Sequence, residues 1–214
     1  MLGSPLRLCS FHRRIFPSKL LLRFGVGWHP ATNQPWAYPT VGKRHEYSGK
    51  GYYISLSQDI VEWVKNGFHK SIFRQKDNVI YRTDMSNHVK TELVEEAYKA
   101  FCKYPLNRLT LLTSMPESSS DMEEYQCILL LASSSFSKPP QSPSLLSFHE
   151  SKGGEKHIPV YDVSFIWSHH ELESRFRENN TIALGVPRDE ASVDLAVCLW
   201  RCHLYLKKTK LSKK

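Results

Sequence analysis

The first carboxylate in the chain is Glu46. Met1 to His45 carry seven cations, Arg7, Arg13, Arg14, Lys19, Arg23, Lys43 and Arg44, and nothing acidic. Taking these seven from the formal charge of +8 leaves +1 for everything that follows, so the excess positive charge is local. Long apolar runs are missing as well. The longest near the N-terminus is Leu20 to Leu22, which excludes a secretory signal built on an apolar stretch of ~7–15 residues. No run anywhere is longer than the six residues of Cys127 to Ala132, far from the ~20 apolar residues that cross a bilayer, so no integral membrane association is expected.

Cysteine is sparse and odd in number: Cys9, Cys102, Cys127, Cys198 and Cys202. No disulfide framework follows, which fits a reducing or matrix compartment and leaves the Asn179-Asn180-Thr181 sequon as chance. Reaction motifs are absent too. Gly25-Val26-Gly27 and Gly49-Lys50-Gly51 have neither the third glycine nor the Lys-Ser/Thr of nucleotide-binding loops, and no Gly-x-Ser-x-Gly elbow occurs. The aromatic strand signature of an RNA recognition motif is also missing. No residue is assigned a catalytic role, and no cofactor is expected.

What is present begins with Met1 to Arg23. Leu8, Phe11 and Ile15 recur at helical spacing while Arg7, Arg13 and Arg14 lie mostly off that stripe. This acid-free, Arg-rich composition is that of a mitochondrial transit peptide. Residues 24–45 mix Gly25, Gly27, Pro30, Pro35 and Pro39 with Phe24, Trp28, Trp36 and Tyr38, and read as an extended aromatic and Pro-rich arm that packs along a surface.

Residues 46–206 read as one α+β domain. Gly51 to Leu56 is a strand leading into a helix whose apolar stripe is Ile60, Val61, Val64 and Phe68, with Ser55 and Gln58 at capping-box spacing and Gly67 as terminator. Ser71 to Gln75 and Val79 to Thr83 suggest a hairpin. A helix from Ser86 or Asn87 to about Lys103 follows, with Val89, Leu93, Ala97, Ala100 and Phe101 on its core face and Tyr104-Pro105 stopping it. Leu109 to Thr113 is a strand. This strand, helix, strand, strand, helix, strand order is that of a ferredoxin-like, split βαβ core. Ser114 to Asp121 reads as a polar turn and Tyr125 to Ala132 as a buried strand. A flexible loop occupies residues 133–157, in which Leu145, Leu146 and Phe148 can dock. A strand at Ile158 to Trp167, a short helix at His169 to Arg177 and a longer one at Arg188 to Leu206 complete the domain.

Cys198, Cys202 and His203 are weak metal candidates, because i and i+4 thiols share a helix face but no second ligand pair at zinc spacing exists. His169-His170-Glu171 lacks the second histidine of a zincin and reads as a helix start. Residues 207–214 form a basic tail in which Lys207, Lys208, Lys210, Lys213 and Lys214 are the candidate nucleic-acid-binding residues. Without the seven N-terminal and five tail cations, 17 cations face 21 carboxylates in the body. RNA contact is therefore expected at the termini.

The sequence points to a non-catalytic subunit of a mitochondrial matrix assembly, a ribonucleoprotein such as the mitochondrial ribosome, with other protein subunits and RNA as partners. One alternative is a matrix enzyme or assembly factor with a small-molecule site near His88, His157, His169 or His170. Another is a nuclear or cytosolic adaptor that keeps Met1 to Arg23.

Overall fold

The computed structural model describes residues 4–42, 50–68, 72–73, 79–131, 145–151, 157–167 and 183–207. The chain divides into two compact units, Met1–Glu96 with Leu204–Lys214, and Ala97–His203. Both combine helices and strands, so the protein is α+β.

The first unit opens with a short antiparallel ribbon of β1 (Leu6–Leu8) and β2 (Ile15–Pro17), in register Leu6↔Pro17, Arg7↔Phe16 and Leu8↔Ile15. Leu8, Phe11 and Ile15 therefore share no helix; the segment turns back on itself with Arg13 at φ 56°. Next come β3 (Leu21–His29), β4 (Gln34–Thr40) and β5 (Tyr52–Ser55), an antiparallel sheet in the order β4-β3-β5. The segment expected to be an extended arm is a hairpin. Its prolines are compatible with pairing because Ala37 N–H donates to Ile80 O, away from β3, and Pro35 and Pro39 share that orientation. They give up no bond to β3.

Side chains alternate across this sheet. Leu22, Phe24, Ala37, Tyr52 and Ile54 form the inner face, each 9% exposed or less. Phe24 and Tyr52 meet Phe73 edge to face at 5.9 and 5.2 Å between centroids. α1 (Gln58–Trp63) buries Ile60 and Val61, and the chain unwinds at Asn66 and Gly67, the latter at φ 110° as its lack of Cβ permits. The N-cap is Ser57, so the expected Ser55 cap is replaced; Ser55 stays in β5.

α2 (Met85–Lys103) buries Val89, Leu93, Ala97 and Phe101 on the expected stripe, and of these Val89 and Leu93 belong to the first unit. The expected hairpin at 71–83 is not what the described residues show. Ile72 and Phe73 are helical, and Ile80 bridges to Trp36; residues 71 and 74–78 lie outside the described residues. Tyr205, fully buried, donates its hydroxyl to Ser86 O at 2.9 Å.

In the second unit β6 (Thr110–Leu112), α3 (Ser119–Glu123), β7 (Tyr125–Leu130), β8 (Leu146–Glu150), β9 (His157–Asp162) and β10 (Ala183–Pro187) precede α4 (Ser192–Leu206). Its sheet has the order β6-β10-β7-β9-β8, with only β7 and β9 parallel. Met122, Tyr125, Ile128, Ile158, Val160 and Ala183 form a core cluster. Leu195, Leu199 and Cys202 are the buried stripe of α4 in this unit.

The ferredoxin-like core is not confirmed: β5 and β6, the first and last strands of that expected order, belong to different sheets. The polar turn at 114–121 contains the start of α3, capped by Ser118 Oγ accepting from Asp121 N–H. Within 133–157, residues 146–150 form β8 against β9, and Leu145 and Leu146 are buried, so this part is no free loop. The expected helix at His169 to Arg177 lies outside the described residues. β10 was not expected at all, although it is the second strand of the sheet and Ala183, Leu184 and Val186 are fully buried.

Candidate nucleic-acid interface

The outer face of the three-stranded sheet collects cationic and aromatic side chains, all but Tyr53 from the acid-free part of the chain. β3 places Arg23, Gly25, Gly27 and His29 there, and the register sets Thr40, Tyr38, Trp36 and Gln34 opposite them. On the other side Tyr53 stands opposite Arg23. None of the five strands β1 to β5 contains a carboxylate.

Local chemistry shapes this face. The Tyr38 ring lies across both glycines of β3, so close that a Cβ at Gly25 overlaps its phenol carbon and oxygen, while at Gly27 it meets the ring at 3.0 Å. The Gly-x-Gly pair is therefore a bed for an aromatic ring. Arg23 Nη1 donates to Thr40 Oγ1 at 3.3 Å. Arg7 sits over the Tyr53 ring at 5.9 Å, a cation–π contact that holds a guanidinium at the sheet edge. His29 and Trp36, diagonal neighbours in the ladder, stack at 4.4 Å with 28° between planes. At the strand end Trp28 is 71% exposed.

The ribbon is fastened to β5. Ser10 N–H donates to Tyr53 O at 2.7 Å, and His12 Nδ1 lies 2.7 Å from Ser55 Oγ. The fully buried Cys9 thiol lies 3.4 Å from that hydroxyl and accepts the His12 N–H at 3.4 Å. Partial burial, then the nearby Arg14, hold the His12 imidazolium below its ordinary pKa. A serine on an imidazole is also the geometry of an activated nucleophile. Here Phe11 and Phe16 flank His12 at 4.8 and 6.1 Å, and the thiol is sealed in, so the cluster acts as a latch. Charges at Arg13 and Arg14 are exposed on the ribbon.

Of the residues expected to bind nucleic acid, Lys207 is exposed just past the end of α4, while Lys208, Lys210, Lys213 and Lys214 lie outside the described residues. Among the metal candidates, Cys202 is 1% exposed and burial pushes its thiol up to about 12, so it keeps its proton at neutral pH. Cys198 is half-buried, and the His203 ring lies against Trp200 at 5.5 Å. Burial also lifts Cys127 to about 12. His88 belongs to the first unit and His157 to the second, where it lies 3.6 Å from Glu150; His169 and His170 are outside the described residues. Among the described residues no helix is long and apolar enough to cross a membrane.

The cationic half of this face was legible as the acid-free N-terminus. The aromatic half was seen in composition, but its assembly on one face depends on the Gly27↔Trp36 register. Two signals could have found it: alternation from Arg23 to His29, and Thr32-Asn33 as a turn. No protein-family model, curated protein or solved structure matches the chain.

Proposed function

We propose that the protein is a non-catalytic subunit of a mitochondrial ribonucleoprotein assembly, such as the mitochondrial ribosome, and that it meets RNA through the ribbon and outer sheet face of its first unit. One observation carries this reading: Arg7, Arg23, Tyr53, Tyr38, Trp36 and His29 stand together on strands that hold no carboxylate. Phosphates demand cations, and bases offer π-faces to aromatic rings. The Lys207–Lys214 tail adds positive charge at the other terminus. Neighbouring proteins pack on the near-neutral remainder.

The import signal within Met1 to Arg23 is retained in this reading, because Cys9, Leu21 and Leu22 are buried parts of the first unit. The test is capture of the endogenous protein by a C-terminal tag, with and without RNase, followed by mass spectrometry of its N-terminus and partners. Ribosomal partners lost on RNase treatment support the proposal. RNase-indifferent, non-mitochondrial partners overturn it.

A further inference from the structure

We propose that the distal end of the β3–β4 hairpin binds unpaired bases of single-stranded RNA, with Trp28 as a stacking platform and the His29–Trp36 pair as a stack that opens to admit a base. This rests on the RNA-contacting reading and names the form of RNA and the residues that hold it.

Trp28 follows Leu22, Phe24 and Val26 on the inner side of β3, where Leu22 and Phe24 are 0% and 1% exposed. At the strand end the core has stopped, and the indole stands 71% exposed. On the opposite side the His29 and Trp36 rings lie in contact. Their nitrogens, His29 Nδ1 and Trp36 Nε1, are shielded from solvent and have no hydrogen-bond partner among the described residues. An unpaired buried donor opposes the arrangement that buries it. In the opened pair both nitrogens can meet new partners.

The indole N–H can only donate, whereas the imidazole nitrogen donates or accepts according to tautomer. A nucleobase inserted against Trp36 replaces the lost ring contact and brings edge acceptors to the indole. Arg23 lies on the same strand face, six residues back along β3, where it can meet the backbone phosphates. The turn between the strands is Pro30, Ala31, Thr32 and Asn33, with Asn33 at φ 49°, and it offers no large aliphatic side chain. That composition disfavours insertion into lipid and leaves a polar, aromatic ligand.

The experiment uses the full chain and a labelled oligouridylate of about 12 nucleotides, within the site sizes of single-strand binders, beside a duplex RNA of equal length and anionic phospholipid vesicles. Anisotropy and tryptophan fluorescence are read between about 50 and 200 mM salt. Single strands should quench the fluorescence. Trp28→Ala should weaken them on the order of tenfold, Trp28→Phe much less, and neither should alter duplex binding or the salt slope. Trp36→Phe, which keeps a ring and removes the N–H, should weaken single strands a few-fold.

RNA binding by the native chain that is indifferent to Trp28→Ala overturns the stacking site and leaves the phosphate-contact reading standing. No RNA binding at all overturns both. Vesicle binding lost in Trp28→Ala, with RNA binding unchanged, assigns the tip to lipid and also overturns the inference.

Discussion

The Ser55 hydroxyl in β5 lies 2.7 Å from Nδ1 of His12, 43 residues earlier in the chain. With the Ser10 N–H on Tyr53 O, this contact joins the cationic ribbon to the sheet, so Arg7 stays over Tyr53 instead of moving with a loose terminus. The folded state favours the neutral imidazole, since burial and then Arg14 lower its pKa from 6.5. Stability from this source is present above the ordinary value and is lost as pH falls through the lowered one.

Hydrogen-exchange protection of the Ser10 amide, corrected for intrinsic rate, should therefore decline on acidification from about pH 8 to pH 5. His12→Asn should flatten that decline, and Ser55→Ala should lower protection throughout. Protection in the native chain that does not change with pH would refute the latch.

Removing Met1 to Arg23 deletes the ribbon and takes Leu21, Leu22 and Arg23 out of their pairing with Ser55, Ile54 and Tyr53. A chain beginning at Phe24 should lose the cooperative unfolding of the first unit, whereas one beginning at Ser4 should keep it. Leu22→Ala alone should destabilise by about 2–5 kcal/mol, the range for emptying a fully buried leucine site. Urea unfolding monitored by tryptophan fluorescence measures both effects.

Gly25→Val should be more harmful than Gly27→Ala, because the first drives a side chain into the Tyr38 ring and the second makes only a tight contact at 3.0 Å. Pairing Gly25→Val with Tyr38→Ala should restore much of the loss. If the double variant is no better than the single one, the ring-on-glycine account is wrong.

Thiol labelling should be strongly selective. Cys102 is exposed and should react first under native conditions, while Cys9, Cys127 and Cys202 should wait for unfolding. Burial holds the last two near 12, so little thiolate exists at neutral pH. Peptide mapping after brief alkylation reads the order directly, and rapid native labelling of Cys202 would revive the α4 thiols as reactive groups.

If the ribbon meets phosphates, Arg7→Ala, Arg13→Ala and Arg14→Ala should each reduce the slope of log affinity against log salt by about 0.7 for single-stranded RNA. Removing Lys207 to Lys214 should reduce it further without altering circular dichroism. Slopes untouched by all these changes would place the RNA contact elsewhere.

Some of this was readable in advance because its causes are local. The periodic Val89, Leu93, Ala97 and Phe101, followed by Tyr104-Pro105, specify α2 and its end through side-chain spacing and the missing proline N–H. The charge split at Glu46 follows from composition alone. Other features were misread locally: Pro35 and Pro39 look like breakers until their nitrogens are known to point away from β3, and Ala183 to Pro187 is a short apolar run whose strand character comes from neighbours on both sides.

What sequence spacing could not supply was partnership. β5 and β6, which flank α1 and α2 in the chain, were read as one sheet, yet β5 pairs with β3 and β6 with β10. Register likewise brings Trp36 beside His29, and a side-chain contact between distant segments sets Ser55 against His12. Helix stripes and net charge are properties of neighbouring residues, so the chain alone carries them. Strand pairing depends on hydrogen bonds between distant segments, which are chosen by how all apolar faces are buried together.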